Sequence, residues 1–353
     1  MGKKAFGSGE FSGGAQSTPL IEPGLVRPLV LGARSLESNL VLAPMAGVSN
    51  LAFRLIAREA GAALTFTETV SAKGLVKRGA KTRRLLASSP REAPVAFQLF
   101  GAEPETLAEA CRILAAEFDA SWVDLNLGCP VKKFIRNGAG SALLREPERV
   151  RAIVRAMRSA CDGTLSVKIR SGWDASSVNA PEIARVAAGE GADLLAVHGR
   201  TRTQQYTGHS DRDVIRRTVE AIPDTPVLAN GDVTLPAHVF DVLRETGAAG
   251  VMIGRGAMGN PWIFAQTLAL ARGESPRRPS AQERHATVRR HVALMEQSFP
   301  DPKLLAANLK KYVTAYAKGL PGSAGFRRRV LDAHELEAIL TLTDDFFGVR
   351  EAA

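Results

Sequence analysis

Short apolar runs alternate with longer amphipathic segments along most of the chain. The runs end at Gly, Asn, Pro or a charged residue, which is typical of buried strands. Eight of them are predicted as strands: 39–43, 64–68, 95–99, 122–126, 166–170, 194–198, 226–230 and 250–254. Segments between them, such as "PETLAEACRILAAEF", repeat apolar residues at helical spacing. Since parallel strands need long crossovers, this alternation predicts a parallel sheet.

Eight strand–helix units favour an α/β fold of the closed (β/α)₈ TIM-barrel type over an open doubly wound sheet. "PLVLG" and the start of "NLVLA", joined by "ARSLES", predict a hairpin that plugs the barrel bottom. The strand pattern stops after "GNPWIFAQTLALA", and three helices follow. We therefore expect a barrel domain over residues 21–275 and a small all-helical domain over 278–350. The Gly- and Ser-rich residues 1–20 are expected to form a disordered tail.

Composition narrows the class of protein. The chain has 353 residues and 45% apolar content, which is typical of a globular protein. No apolar run approaches the ~20 residues of a membrane span, and the N-terminus lacks the apolar segment of a signal peptide. Its three cysteines lack metal-type spacing. We expect a cytoplasmic monomer with no membrane, metal or disulfide, in which Cys111 and Cys161 pack in the core.

The net charge of +10 is unevenly distributed. Residues 272–330 hold 13 Lys and Arg but only four acids, so most of the excess lies in the helical domain. A second run, "KGLVKRGAKTRR" (73–84), has six basic residues and no acid. Charge runs often serve only as solvated helix faces, but two clusters without balancing acids favour a polyanionic partner.

Seven of the eight predicted strands are followed by a hydrogen-bonding or ionisable side chain at the end where barrel enzymes carry their chemistry. The strand-end positions are Pro44 and Met45, Glu68, Gln98, Asn126 with Cys129, Lys168 with Arg170, His198 with Arg200, Asn230 to Asp232, and Gly254 to Gly256. Each could serve a structural purpose alone: Gln98 or Asp232 could cap a helix, and His198 could be a core histidine. Their recurrence at strand ends predicts one functional site.

Two glycine-containing loops indicate where a phosphate would bind. "ANGDVT" follows the seventh strand and "GRGAMGNPW" the eighth, the usual phosphate-binding pair of a barrel. Arg255 could clamp the anion. Pro44, Met45 and Ala46 form an apolar seat, Gln98 and Asn126 offer amides to a heterocycle edge, and Lys168 a cation for a reduced flavin. The set favours FMN over a sugar phosphate.

The thiol in "DLNLGCPVKK" (124–133) has several possible roles. Taken alone, Cys129 could be half of a redox pair, a metal ligand, a nucleophile, a proton donor or a buried core thiol. The lack of metal-type cysteine spacing disfavours the second of these. A nucleophile would require a depressed pKa, whereas a thiol near its ordinary pKa is neutral at pH 7 and ready to give a proton.

Several long motifs resemble those of the tRNA-dihydrouridine synthase family, and most closely its bacterial B-type branch. They are "LAPMAGVSNLAFR" (42–54), "VAFQLFG" (95–101), "DLNLGCPVKKFIRNGAGSALL" (124–144), "VKIRSGWD" (167–174), "VHGRTRTQQYTG" (197–208), "LANGDV" (228–233), "VMIGRGAMGNPWIF" (251–264) and "KKYVTAYAKGLPG" (310–322). The strings around Cys129 and His198 are the specific ones, since "ANGD" and "GRG" occur in other FMN barrels. One departure is Thr69, where the branch usually has methionine.

The resemblance implies an FMN enzyme that uses NADPH to reduce the C5–C6 bond of selected uridines in tRNA. By position, the residues implied to hold FMN are Pro44, Met45, Ala46, Gln98, Lys168, His198, Asn230, Gly231, Asp232, Gly254, Arg255 and Gly256. Those implied to line the uracil pocket are Asn126, Arg200 and Tyr206. Cys129 matches the family's proton donor, and Lys168 and His198 would stabilise developing charge.

Two other functions remain open from the sequence. One is an FMN barrel dehydrogenase that acts on a small metabolite such as dihydroorotate, with Cys129 as a base. It shares the phosphate loops but does not account for the basic helical domain. The other is a barrel that binds RNA without turnover, which the intact set of Cys129, Lys168 and His198 disfavours. Salt-sensitive tRNA binding and oxidation of reduced flavin by tRNA separate the three.

Overall fold

A computed structural model describes residues 21–22 and 24–348 of the chain. The predicted disordered tail, residues 1–20, lies outside the described residues. The strands are β1 (Leu29–Leu31), β2 (Arg34–Leu36), β3 (Leu40–Leu42), β4 (Thr65–Phe66), β5 (Val70–Ser71), β6 (Val95–Phe100), β7 (Trp122–Asn126), β8 (Thr164–Arg170), β9 (Leu194–His198), β10 (Val227–Asn230) and β11 (Gly250–Ile253).

Eight of these strands form a closed parallel barrel in the order β3, β11, β10, β9, β8, β7, β6, β4. A parallel bridge between Val41 and Leu64, beside β3 and β4, completes the ring. β4 covers only part of the second predicted strand, 64–68, and β5, which lies just beyond that strand, also pairs with β6. The predicted (β/α)₈ barrel and its eight strand positions are confirmed.

Helices surround the barrel and continue beyond it. The barrel helices are α1 (Leu51–Glu59), α2 (Ala72–Val76), α3 (Ala80–Leu85), α4 (Pro104–Phe118), α5 (Lys132–Arg136), α6 (Pro147–Ser159), α7 (Ala180–Gly189), α8 (Arg212–Ala221), α9 (Ala237–Thr246) and α10 (Ile263–Ala271). The helical region contains α11 (Ala281–Ser298), α12 (Pro302–Tyr316), α13 (Ser323–Asp332) and α14 (Leu336–Gly348). None of the helices in the described chain is both long and apolar enough to cross a membrane.

The side-chain alternation of the strands divides the barrel into an interior and an outer layer. On β7, Val123 and Leu125 pack in the large core beneath the helices. Trp122, on the other face, belongs to a smaller core inside the barrel with Leu194 and Leu228. The other inward-facing positions of β7 are polar, and they lead up to the carboxyl ends of the strands.

The expected hairpin is present at the other end of the barrel, but its second strand differs from the prediction. β2 is Arg34–Leu36, within the stretch predicted to be the connection, and Leu29 pairs with Leu36. The turn at Gly32 is left-handed (φ +57°), so the chain reverses sooner than expected. Leu29 and Leu36 are buried in the inner core with Trp122, which seals the barrel bottom.

The helical region has four helices among its described residues, where the sequence predicted three. The missed helix is α13, whose sequence "SAGFRRRVLD" buries only Phe326 and Val330. Its two buried residues do span one helical turn, but a glycine and three arginines obscure that pattern. The region packs against α1 through Phe53, whose ring stacks on His291 of α11 (centroids 5.9 Å apart). The domain boundaries themselves stay a prediction.

The hairpin offers a direct test of the barrel plug. Leu29→Ala should lower the free energy of unfolding by about 2–5 kcal/mol, because it leaves a cavity in the inner core. Val30→Ala, on the same strand but 63% exposed, should change it by less than about 0.5 kcal/mol. Urea unfolding of both variants measures the difference, and equal effects would contradict the plug.

Candidate active site

The barrel register brings the predicted strand-end residues together in adjacent rows. Asn126 pairs with Lys168 across β7 and β8, and Arg170 pairs with His198 across β8 and β9. His198 in turn pairs with Asn230 across β9 and β10. All of these lie at the carboxyl ends of their strands, so the structure gathers them at one mouth of the barrel.

The backbone at Cys129 is held from both sides. Asn126 Oδ1 accepts the N–H groups of Gly128 and Cys129, both at 3.0 Å. The Cys129 carbonyl accepts from Ser141 Oγ at 2.9 Å, and the Gly128 carbonyl accepts from Arg170 Nε at 2.9 Å. These bonds fix the peptide while the thiol itself stays only partly buried.

The Cys129 thiol is neutral at physiological pH. Burial raises its pKa above the ordinary value, against the lowering effects of the Val131 N–H, Arg170 and Lys168. Cys111 and Cys161 are buried in the outer core, as expected. Cys129 is therefore the single partly accessible thiol of the chain, and it carries its proton.

Lys168 provides a cation with hydrogen-bonding capacity to spare. Its Nζ donates to Asn230 Oδ1 at 3.1 Å, and Asn230 is itself held by its Nδ2 bond to the Met252 carbonyl at 2.7 Å. Burial, followed by the charge of Arg170, lowers the pKa of Lys168 to about 8. At pH 7 the ammonium group remains mostly charged, with N–H groups free for an incoming anionic or carbonyl oxygen.

His198 is a neutral imidazole. Burial, reinforced by Lys168, Arg170, Arg200 and Arg255, lowers its pKa to about 2. A neutral ring can donate a hydrogen bond to developing negative charge but holds no extra proton to give away. This leaves the thiol and Lys168 as the proton-bearing groups among the predicted catalytic residues.

The loops after β10 and β11 form a cradle of backbone N–H groups. Gly231 has φ +126° and Asp232 has φ +53°, so both lie in the left-handed region. Within the described residues, the N–H groups of Gly231, Asp232 and Gly254 have no protein acceptor. Gly256 lets the two loops meet, since a Cβ there would lie 2.1 Å from the Val233 carbonyl oxygen.

Two predicted site residues are engaged with each other. The Arg200 guanidinium binds the Asp232 carboxylate through two bonds of 2.7 and 2.8 Å, and it also donates to the Thr207 and Gly208 carbonyls. Burial opposes ionisation of Asp232, but the bonds from Arg200 and Ser210 dominate and hold its pKa below the usual range. Arg200 thus fastens the 200–208 loop here, and its contact with uracil stays a prediction.

That loop carries Tyr206, which is 55% exposed at the mouth. The guanidinium of Arg255 lies 4.5 Å from the centre of its ring and that of Arg170 lies 5.7 Å away. The ring centroid of His198 is 6.5 Å from it. An exposed aromatic ring with cations beside it is a suitable platform for a flat base.

Sequence reasoning identified Gln98 but missed Asp124 and Ser166, which continue a row of polar groups beneath the mouth. Gln98, Asp124 and Ser166 are neighbours in register on β6, β7 and β8. Asp124 is fully buried and accepts from Gln98 Nε2 at 2.7 Å and Ser166 Oγ at 2.5 Å. Burial raises its pKa to about 7, opposed by those two bonds and Lys168. The alternation of inward- and outward-facing residues along a strand could have identified Asp124, since it lies two residues before Asn126 and faces the same way.

The helical region also reaches the site, which the sequence did not indicate. Lys311 Nζ donates to the Gly47 carbonyl and Tyr312 OH to the Val48 carbonyl, each at 2.5 Å. The Gly47 N–H donates to the carboxylate of Glu68. The loop that carries Pro44, Met45 and Ala46 is therefore held between the barrel and α12.

The remaining predicted residues differ in accessibility. Pro44 and Met45 are half-buried, Ala46 is exposed, and Gln98 is covered completely beneath the mouth. The hydroxyl of Thr69 is buried and has no partner among the described residues. No cluster of three or more His, Cys, Asp or Glu side chains suited to a metal occurs in that part of the chain.

The closed (β/α)₈ barrel carries a neutral thiol, a lysine and a cradle of free N–H groups at the carboxyl ends of its strands. These are features of a barrel enzyme, whose active site lies at that end. The family model described as "Dihydrouridine synthase (Dus)" matches residues 41–347. The chain therefore belongs to the dihydrouridine synthase family, as its motifs indicated.

Individual relatives agree with the family assignment. A protein named tRNA-dihydrouridine synthase B from Xanthomonas axonopodis is 39% identical over 90% of this chain and 95% of its own length. One of the same name from Pseudomonas putida is 36% identical over 91% and 94%. A probable tRNA-dihydrouridine synthase from Treponema pallidum is 35% identical over 88% and 93%. These matches confirm the resemblance to the bacterial B-type branch.

The accessibility of Cys129 is testable by alkylation. Iodoacetamide should modify one thiol of the native protein, and Cys129→Ala should abolish that reaction while Cys111 and Cys161 react only after unfolding. Since the thiolate is the reactive form and burial raises the pKa, the rate should still rise about tenfold per pH unit above the ordinary cysteine pKa of ~8.5. A plateau below pH 8 would contradict the raised pKa. Mass spectrometry of quenched samples measures site and rate.

Proposed function

We propose that this protein reduces the C5–C6 bond of specific uridines in tRNA to dihydrouridine, with FMN as its cofactor and NADPH as hydride donor. The observation that carries the proposal is the joint presence of the neutral Cys129 thiol, charged Lys168 and an unfilled backbone cradle at one barrel mouth. Membership of the family and the names of its relatives support the same reaction. A tRNA substrate also supports a cytoplasmic enzyme, and its monomeric state stays a prediction.

The residues at the mouth have the chemistry that FMN requires. The free N–H groups of Gly231, Asp232 and Gly254 and the half-exposed Arg255 suit a phosphate. The Asp232 carboxylate is turned away to Arg200, so its backbone rather than its side chain would face the anion. Lys168 and Asn230 would meet the ring, Pro44, Met45 and Ala46 would seat it, and His198 would lie beside it. Gln98 would support its edge from below, and Gly256 would bring the two phosphate loops together.

The residues at the barrel mouth have separate roles in the proposed reaction. When bound and reduced by NADPH, FMN would supply the hydride for uracil C6. The added charge spreads over C5 and O4, where Lys168 and neutral His198 are suited to stabilise it. Cys129 gives its proton to C5 directly, because the thiol already carries it. Asn126 would bind the uracil edge and Tyr206 its face, while Arg200 fixes the loop around them.

The pattern of ion pairs supports tRNA as the polyanion. On α6, at the outside of the barrel, Arg151 and Arg155 both pair with Glu190. Within the described residues, no carboxylate pairs with Lys132, Lys133 or Arg136 beside the Cys129 loop. Arg145 and Arg202 also lack a carboxylate partner there, and both lie over the Trp173 ring, at 4.1 and 4.4 Å. Unpaired cations beside the mouth offer contacts to phosphates around a base that has left its stack.

Removal of the thiol tests the proton-donor role. Cys129→Ala should bind FMN as the wild type does but lower the rate of uridine reduction by about 10²–10⁴-fold. Its flavin should still be reduced by NADPH, because that step does not need the C5 proton. Stopped-flow absorbance separates the two half-reactions, and wild-type turnover would remove Cys129 from the mechanism.

The same preparation tests the proposed function as a whole. The purified protein should show flavin absorbance and form dihydrouridine in unmodified tRNA with NADPH, detected by mass spectrometry of nucleosides. A protein that cannot bind FMN would overturn the proposal. Turnover of dihydroorotate with no reaction on tRNA would favour the small-metabolite dehydrogenase instead.

The unpaired cations predict where tRNA binds. Replacing Lys132 and Arg136 by Ala should weaken tRNA binding and reduce the slope of log Kd against log salt by about one to two. Arg151→Ala, on paired α6, serves as the matched control and should leave affinity and slope unchanged. Filter binding over a salt series measures both. Identical slopes for all three proteins would place the tRNA elsewhere.

A further inference from the structure

A continuous hydrogen-bond relay crosses the barrel interior from its sealed bottom to the Cys129 loop. Trp122 Nε1 donates to Ser166 Oγ at 2.9 Å, and Ser166 Oγ donates to Asp124 Oδ1. Gln98 Nε2 donates to Asp124 Oδ2 from the other side. Asn126 Nδ2 donates to Gln98 Oε1 at 2.8 Å. Asn126 Oδ1 ends the relay by accepting from the Gly128 and Cys129 N–H groups.

The two ends of this relay can only donate. An indole N–H has no acceptor capacity, and neither has a backbone N–H. A serine hydroxyl and a side-chain amide each pass the direction on, since they accept on one side and donate on the other. A relay with donors at both ends therefore needs one member that accepts from both of its neighbours. Asp124 is the member that does so.

We propose that Asp124 is a positioning residue for the proton donor: as the relay's double acceptor it sets the orientation of the Gln98 and Asn126 amides and thereby holds the Cys129 peptide. Asp124 acts through other residues and does not itself touch the reacting atoms. Its effect on turnover rests on the proposed function, whereas its effect on the Cys129 loop does not. Because these side chains are buried, a reversed amide could not replace its lost hydrogen-bond partner with water, so a wrong orientation would leave polar groups unsatisfied.

An asparagine at position 124 would disturb this polarity. If its amide NH₂ faced Gln98, Gln98 would reverse, Asn126 would reverse after it, and an NH₂ group would then oppose the Cys129 N–H. If its NH₂ faced Ser166, the serine would accept from both Trp122 and the introduced amide, and its own hydrogen would lose its acceptor. The second outcome leaves a buried hydroxyl hydrogen without an acceptor, whereas the first releases N–H groups of the partly exposed Cys129 loop, which water can satisfy. We therefore expect the first outcome.

Moving the double acceptor to the next member of the relay, from position 124 to position 98, should restore the relay. In Asp124→Asn combined with Gln98→Glu, a carboxylate at position 98 accepts both from the introduced amide at position 124 and from Asn126. Asn126 Oδ1 then faces the Cys129 N–H again. Asp124→Asn alone should be defective and the double variant should be better, which a loss of packing would not produce. Gln98→Glu alone serves as a control, because one of the two facing buried carboxyl groups would hold a proton and donate to the other, so the polarity of the relay is kept.

Alkylation of Cys129 by iodoacetamide in the full chain measures the loop without any catalytic step. We expect Asp124→Asn to raise the alkylation rate at least fivefold, and Gln98→Glu and the double variant to stay within twofold of the wild type. Ser166→Ala cuts the relay on the Trp122 side and leaves Asp124 to Gln98 intact, so its alkylation rate should stay within twofold. Circular dichroism confirms that each protein is folded.

Oxidation of reduced flavin by tRNA provides the second readout. The rate should fall about 10²-fold in Asp124→Asn, the cost of a small displacement of a reacting group, while reduction by NADPH stays within threefold. Wild-type alkylation in Asp124→Asn, or a double variant no better than Asp124→Asn, would overturn the positioning role. Should Asp124→Asn not fold, recovery of the folded protein in the double variant, but not in Asp124→Asn combined with Gln98→Leu, decides the same question. A protein that alkylates as expected but never reduces tRNA would contradict the proposed function alone.

Discussion

The closed parallel register of the barrel is the constraint on which the site depends. Once β3 pairs with β11 and Val41 bridges to Leu64, alternate residues of every strand must face one enclosed interior. Near the hairpin that interior is apolar, with Trp122 at its base. Towards the carboxyl ends it becomes polar, in rows that the register sets opposite each other. A shift of one strand by one residue would turn its polar groups into the outer apolar layer.

Burial at the barrel mouth shifts the pKa values of the site's side chains, upward for the thiol and downward for the bases. It keeps the proton on Cys129, removes charge from His198, and leaves Lys168 charged with a lowered pKa. The same low-polarity surroundings would lower the fraction of Cys129 present as thiolate, the form that a nucleophile needs, because they favour the uncharged thiol. Of the roles that were open for Cys129, the environment favours that of a proton donor.

The sequence predicted the barrel, its eight strands and the gathering of Cys129, Lys168 and His198, because all of these follow from local periodicity and strand ends. It misplaced β2, since a left-handed turn at Gly32 leaves little trace in hydrophobicity. It missed α13, whose buried face is only two residues wide. The role of Asp124 and the α12 contacts could not be predicted for another reason. Their partners are far away in the chain, and only the folded register brings them together.

The contacts of Lys311 and Tyr312 with the barrel are made to backbone carbonyls rather than to side chains. A carbonyl is present whatever residue occupies positions 47 and 48, so the loop sequence can drift while the contact persists. The position of α12 cannot drift in the same way, because it must present the ammonium and hydroxyl groups at fixed places. Chimeras that exchange the helical regions of relatives should therefore keep α12 with its own barrel and join the chains after Tyr316.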